Sequence, residues 1–160
     1  MFVPRSVLIG AKLLGLATGL RSCSGVAALV VTGADGLPAA LRTPLARRVA
    51  VGLAATELVI DKLPSTAART EVPGLTARVL FGGVSGWIAG RSTGPSPVPT
   101  LIGSAAALVT AFTGVRARRL LSERIGPLPA ALLEDVVTGS LVAAGTYVLR
   151  RHSSSGVRAV

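Results

Sequence analysis

The stretch 98–115 carries no charged residue, and it is the cleanest of five apolar segments that together take up most of the chain. The others are 7–31, 49–60, 72–90 and 130–149. Runs of this length and composition fold as helices that require apolar surroundings. Half of the 160 residues are apolar, 15% are charged and the mean hydropathy is +0.65, values that weigh against an ordinary water-soluble domain. The expected fold class is therefore all-α: a polytopic transmembrane helix bundle of about five segments, with the lipid bilayer as its solvent. A large excess of Arg over Lys points by association to a bacterial chain, and so to the cytoplasmic membrane.

The segments differ in how well they suit a simple crossing. Residues 7–31 would measure about 37 Å as one helix, enough for a hydrocarbon core of about 30 Å, although Lys12 and Arg21 interrupt them. Segment 49–60 is too short alone and needs residues 39–45 upstream, or a broken, re-entrant path. Segment 72–90 contains Arg78, and 130–149 carries Glu134 and Asp135 in its first turns. The links 32–38, 92–99 and 126–129 hold the Gly, Pro, Asp and Ser expected where helices stop. Residues 1–149 thus read as a single integral-membrane domain, and 150–160, basic and with a Ser-Ser-Ser-Gly stretch, as a disordered tail. Arg5 followed by the run 7–20 has the outline of a signal peptide, but Arg21 is out of place before Cys23 for a lipoprotein cleavage site.

The net charge of +10 does not indicate nucleic acid, because the arginines stand at the ends of apolar segments without interleaved aromatics. Topology and anionic lipid headgroups account for them better. For five simple crossings the basic residues tie at seven per face, so orientation stays open between dual insertion and a re-entrant segment. One cysteine, Cys23, and one histidine, His152, give no basis for a disulfide, a metal site or a cofactor. A Ser or Cys nucleophile would lack a histidine base within any segment, so an enzyme is the weakest of the readings.

Small residues recur every fourth position at Ala11, Gly15, Gly19 and Cys23, and again at Gly82, Gly86 and Gly90. Each series lines one helix face and permits close backbone approach, either within the chain or in a homo-oligomer. The ionisable residues inside apolar segments carry more information, since a charge near the bilayer centre must find a partner or water. These are Arg21, Glu57, Arg78, Glu134 and Asp135; Asp61 and Lys62 join them at a helix end. Glu57 and Asp61 are four apart and share a helix face, while Lys62 and Pro64 stop the helix.

A faint internal repeat relates Ile9-Gly10 and Gly19-Leu20-Arg21 to Ile102-Gly103 and Gly114-Val115-Arg116, with acidic helices at Glu57 and Glu134 following. Two such halves of odd crossing number would be inverted, with a polar junction. The run Glu57-Leu58-Val59-Ile60-Asp61-Lys62-Leu63-Pro64, the turn Gly19-Leu20-Arg21-Ser22, Arg78 entering a Gly-rich helix and Glu134-Asp135 in the final helix together resemble a bacterial integral-membrane family, domain of unknown function 4126. The resemblance covers nearly the whole chain and implies a membrane protein with these residues at its centre. It names no activity, and the compact region 65–72 departs from it.

Two functional readings follow. In the first, the protein is a small transporter or conduit with Arg21, Glu57, Asp61, Arg78, Glu134 and Asp135 lining a polar cavity. In the second, it is a structural or partner-binding membrane protein whose charges form a dry network, with the basic stretches 42–48 and 116–124 as loops on lipid or another subunit.

Overall fold

The computed structural model describes residues 3–60 and 72–157. They form α1 (Arg5–Leu20), α2 (Ser24–Thr32), a 3₁₀ turn at Ala39–Leu41, α3 (Pro44–Ile60), α4 (Val72–Arg91), α5 (Val98–Ile125) and α6 (Pro127–Val157). No strand occurs among the described residues. Two helices, α5 and α6, are long and apolar enough to cross a membrane.

The first apolar segment is not one helix, as its length suggested. It breaks at Arg21, whose backbone is extended (φ −139°, ψ 116°), and the chain reverses through Ser22 and Cys23. α2 then folds back along α1: Gly25 packs against Thr18 and the Leu14 carbonyl, and Leu29 joins Leu14 in the core. Thr32, at the end of α2, accepts a hydrogen bond from Arg150 Nη2 at 3.3 Å, one residue beyond the Leu149 side chain that packs on Gly10. α1 and α2 are therefore a helical hairpin that enters from one end of the bundle and turns inside it. That end, called here the amino-terminal end, also holds the close of α4, the start of α5 and the close of α6.

α1 lies at the centre, against α4, α5 and α6. Small residues make this possible. Gly15 of α1 and Gly82 of α4 both pack onto Gly103 of α5, Gly19 packs onto Ala107 and Thr110, and Gly86 and Gly90 pack onto Pro99. Two hydroxyls tie the three helices: Thr110 Oγ1 donates to the Leu16 carbonyl at 2.8 Å, and Ser104 Oγ to the Val79 carbonyl at 3.0 Å. Backbones this close gain dispersion and Cα–H to carbonyl contacts that larger side chains would prevent. Both glycine series are thus used within the chain. Large apolar side chains face outward instead, including Leu80, Trp87, Leu101, Phe112, Leu132 and Val136.

α3 differs from its neighbours. Apart from the 3₁₀ turn it leans mainly on α2, and Leu45, Val49, Val51, Leu53, Leu58 and Val59 are exposed around it.

Several sequence expectations are corrected. The second segment begins at Pro44, where a proline suits the first helical turn, rather than at 49 or through 39–45 as one piece. The stretch 116–124 is the end of α5 and not a loop, because Gly126, with φ 91°, is the single break before α6. The tail does not begin at 150: α6 runs to Val157, with Arg151 stacked over Tyr147 at 5.0 Å and Ser153 Oγ bonded to the Leu149 carbonyl at 3.4 Å. Serines that return their hydroxyls to the preceding turn do not stop a helix. The proposed inverted halves fail as well, since α1 and α5 lie parallel: Gly15 meets Gly103, Gly19 meets Thr110 and Leu20 meets Gly114.

Candidate functional site

A helix that ends inside a bundle leaves carbonyls without partners, and one that begins there leaves N–H groups without partners. The hairpin has both problems at one place, and charged side chains answer them. Glu57 of α3 accepts the backbone N–H groups of Ser22 at 2.6 Å and Cys23 at 2.9 Å, which puts a carboxylate at the amino terminus of α2. Arg78 of α4 donates Nε to the Gly19 carbonyl at 3.2 Å, in the last turn of α1, and Nη1 to the Gly74 carbonyl at 3.1 Å. An anion thus stands at a helix start and a cation at a helix end, each where the backbone dipoles favour it.

Arg21, at the hairpin tip, is held by α6. Its Nε donates to Asp135 Oδ1 at 2.8 Å and its Nη2 to the same oxygen. Beside it, Arg118 of α5 lies 3.5 Å from Glu134. Arg21 is 5% exposed and Arg78 6%, so burying either guanidinium without these partners would cost several kcal/mol. Among the described residues the cluster brings together three arginines (Arg21, Arg78, Arg118) and three carboxylates (Glu57, Glu134, Asp135).

Five residues singled out in the sequence, Arg21, Glu57, Arg78, Glu134 and Asp135, meet here from four separate elements. Asp61 and Lys62 lie outside the described residues. Arg118 escaped sequence reasoning, which grouped it with a basic loop. The signal was present: α5 and α6 are joined by a single-residue turn at Gly126, and 118 and 134 are equally far from it, so an antiparallel pair brings them together.

The cluster is also the inner end of a groove. A cavity of about 460 Å³ between α2, α3 and α6 has Arg21, Glu57 and Asp135 at one end and walls that include Ala28, Val31 and Val142. A second cavity of about 770 Å³, at the amino-terminal end, is lined by Asp35, Thr146, Arg150, His152 and Ser153 among others. Asp135, Thr138, Val142, Thr146, Leu149 and Ser153 succeed one another at three- and four-residue intervals, so both cavities lie along one face of α6. Cys23 lies elsewhere, on a smaller cavity of about 170 Å³ across α2.

Comparisons with protein-family models, with curated proteins and with solved structures find no match to this chain.

Proposed function

We propose that this protein is a multi-pass membrane protein, four crossings (α3 to α6) and one re-entrant hairpin, that works as a small transporter or conduit. The observation that carries this reading is the alignment of two cavities on one face of α6, running from the amino-terminal end to the Arg21–Asp135 pair. Re-entrant backbone is tolerated at membrane depth where it is buried or lines a cavity, and broken helices of this kind form midplane sites in transporters. The membrane placement draws support from the outward apolar side chains and from the chain's one Trp and one Tyr. Trp87 and Tyr147 are both at the amino-terminal end, exposed, and each stacked with an arginine four residues on, Arg91 at 5.1 Å and Arg151 at 5.0 Å. Aromatic and arginine pairs of this kind suit a headgroup interface. Measured from that level, Arg78 is about 14 Å and Asp135 about 18 Å deeper along their helices, near the middle of a hydrocarbon core of about 30 Å. Membership of the domain of unknown function 4126 family, and with it a bacterial cytoplasmic membrane, belongs to the same proposal.

A structural reading competes on one observation, that the charges of the cluster find their partners inside the chain. The two are separated by water access to the groove. In a Cys23→Ser background, Val142→Cys is treated with a membrane-impermeant maleimide from each face. Labelling from the amino-terminal face alone supports the conduit. Protection from both faces until denaturation supports a dry scaffold instead.

A further inference from the structure

Of the two charges that interrupt the first apolar segment, Arg21 joins the cluster and Lys12 does not. Lys12 is exposed and makes no ion pair or hydrogen bond among the described residues. The described carboxylates all stand elsewhere: Glu57, Glu134 and Asp135 in the cluster, Glu123 on Arg119 and Asp35 on the outer cavity. Packing fixes the level of Lys12 in the bundle. Leu149 meets Gly10 while Gly145 meets Leu13 and Leu14, which sets Lys12 level with Tyr147. Gly15 and Gly82 share Gly103, which sets it within a turn of Trp87. The ammonium thus leaves α1 near the height of the two aromatic and arginine pairs, the headgroup level of the proposed membrane. Arg5, also exposed, stands seven residues earlier on the same helix face and further out. Below Lys12 a groove of about 560 Å³ runs between the parallel helices α1 and α5, walled by Leu16, Ile102, Ala105, Ala106 and Val109, and Lys12 is the one charged residue among the described residues that line it. Val109 lies about 10 Å deeper than Ile102.

Resting on the membrane placement proposed above, though not on the conduit, we propose that this seam binds an anionic phospholipid, its phosphate on Lys12 and one acyl chain in the groove. Charge complementarity selects the headgroup. A cation at headgroup level that faces no carboxylate attracts a phosphodiester, and the lysine stem can lie along apolar surface while its ammonium reaches outward. A headgroup with net negative charge is favoured over phosphatidylcholine, whose quaternary ammonium would bring a second cation toward Lys12 and Arg5. The groove selects a lipid over a free phosphate, because its walls below the ammonium offer hydrocarbon and no hydrogen-bonding side chain. Binding displaces no internal partner of Lys12 among the described residues, so no buried charge is stranded.

The test titrates the full chain, in mild detergent, with phosphatidylglycerol and with phosphatidylcholine of the same acyl chains, and native mass spectrometry counts the retained lipid. The expected result is about five-fold tighter binding of phosphatidylglycerol, lost in Lys12→Gln and kept in Lys12→Arg. Ala105→Phe, at an exposed position on the groove, should weaken both lipids by filling the space of the acyl chain. Arg124→Gln, at the opposite end of α5, should change nothing, and circular dichroism checks that each variant stays helical. Equal retention of the two lipids by the unmodified chain overturns the proposal, as does a preference that survives Lys12→Gln or falls equally in Arg124→Gln. Displacement of the lipid by glycerol 3-phosphate at matched concentration overturns it too, by marking a site for free phosphate. Membrane placement is read separately. A chain that stays with phosphatidylcholine liposomes through an alkaline carbonate wash keeps its bilayer whichever lipid it prefers; one that washes off loses both readings.

Discussion

At the scale of single residues, the glycines and the hairpin carboxylate give opposite kinds of prediction. A Cβ on Gly86 would overlap the Pro99 carbonyl and come within 3.1 Å of Thr100 Cα, so its obstacle is backbone. Gly86→Ala should therefore push α4 from α5 and lower stability by about 1–3 kcal/mol. Gly52, on the exposed side of α3, has nothing within 4 Å. Gly52→Ala should raise stability by about 0.5–1 kcal/mol through helix propensity alone. Thermal unfolding of the two variants in one detergent reads both signs. Glu57→Gln keeps one carbonyl oxygen for the Ser22 or Cys23 N–H but turns an amide donor toward the other. A loss of about 1–2 kcal/mol is expected, and an unchanged midpoint would mean that the carboxylate does not hold the hairpin.

At the scale of elements, the hairpin and α3 behave as a coupled unit. α3 has little packing besides α2, so it should open at a lower free energy than α1, α4 or α5. Hydrogen exchange should show α3 amides exchanging faster than those of the three central helices, and Glu57→Gln should accelerate α3 selectively. The Arg21–Asp135 pair joins the hairpin tip to α6. Asp135→Asn leaves a buried arginine short of a charge and should cost about 3–5 kcal/mol. Arg21→Gln combined with Asp135→Asn should recover part of that loss, and the double-mutant cycle measures the coupling. Additive effects would show that the pair is not coupled.

At the scale of the whole molecule, the proposed re-entrant hairpin shifts the tie in basic residues. In that topology Arg5 joins the end of Arg42, Arg47, Arg48, Arg91, Arg150 and Arg151, and the even count of seven per face becomes eight against six. Arg118 is moreover engaged with Glu134. The excess predicts a cytoplasmic amino-terminal end. In a Cys23→Ser background, an impermeant maleimide should reach Ser92→Cys from the cytoplasmic side only and Glu123→Cys from the outside only; the reverse pattern would invert the topology.

The sequence by itself determined a good deal. Its hydropathy and turn residues define helices over 72–90 and 98–115 that match the cores of α4 and α5, and the fourfold glycine spacing marks the faces that pack. It also singled out Arg21, Glu57, Arg78, Glu134 and Asp135, because charges in apolar segments are costly enough to be rare. What it could not decide was direction. A continuous helix and a hairpin over residues 7–31 share the same apolar composition, and only contacts with α3, α4 and α6 make the break at Arg21 stable. Glu57 satisfies the start of α2, Arg78 the end of α1, and Asp135 the arginine between them, all from residues distant in the chain. The helix ends were also set from outside: α5 continues through its arginines and α6 through its serines, where polarity alone suggested loop and tail. Local sequence fixes which residues need partners; the three-dimensional packing decides where those partners stand, and with them whether a segment crosses or returns.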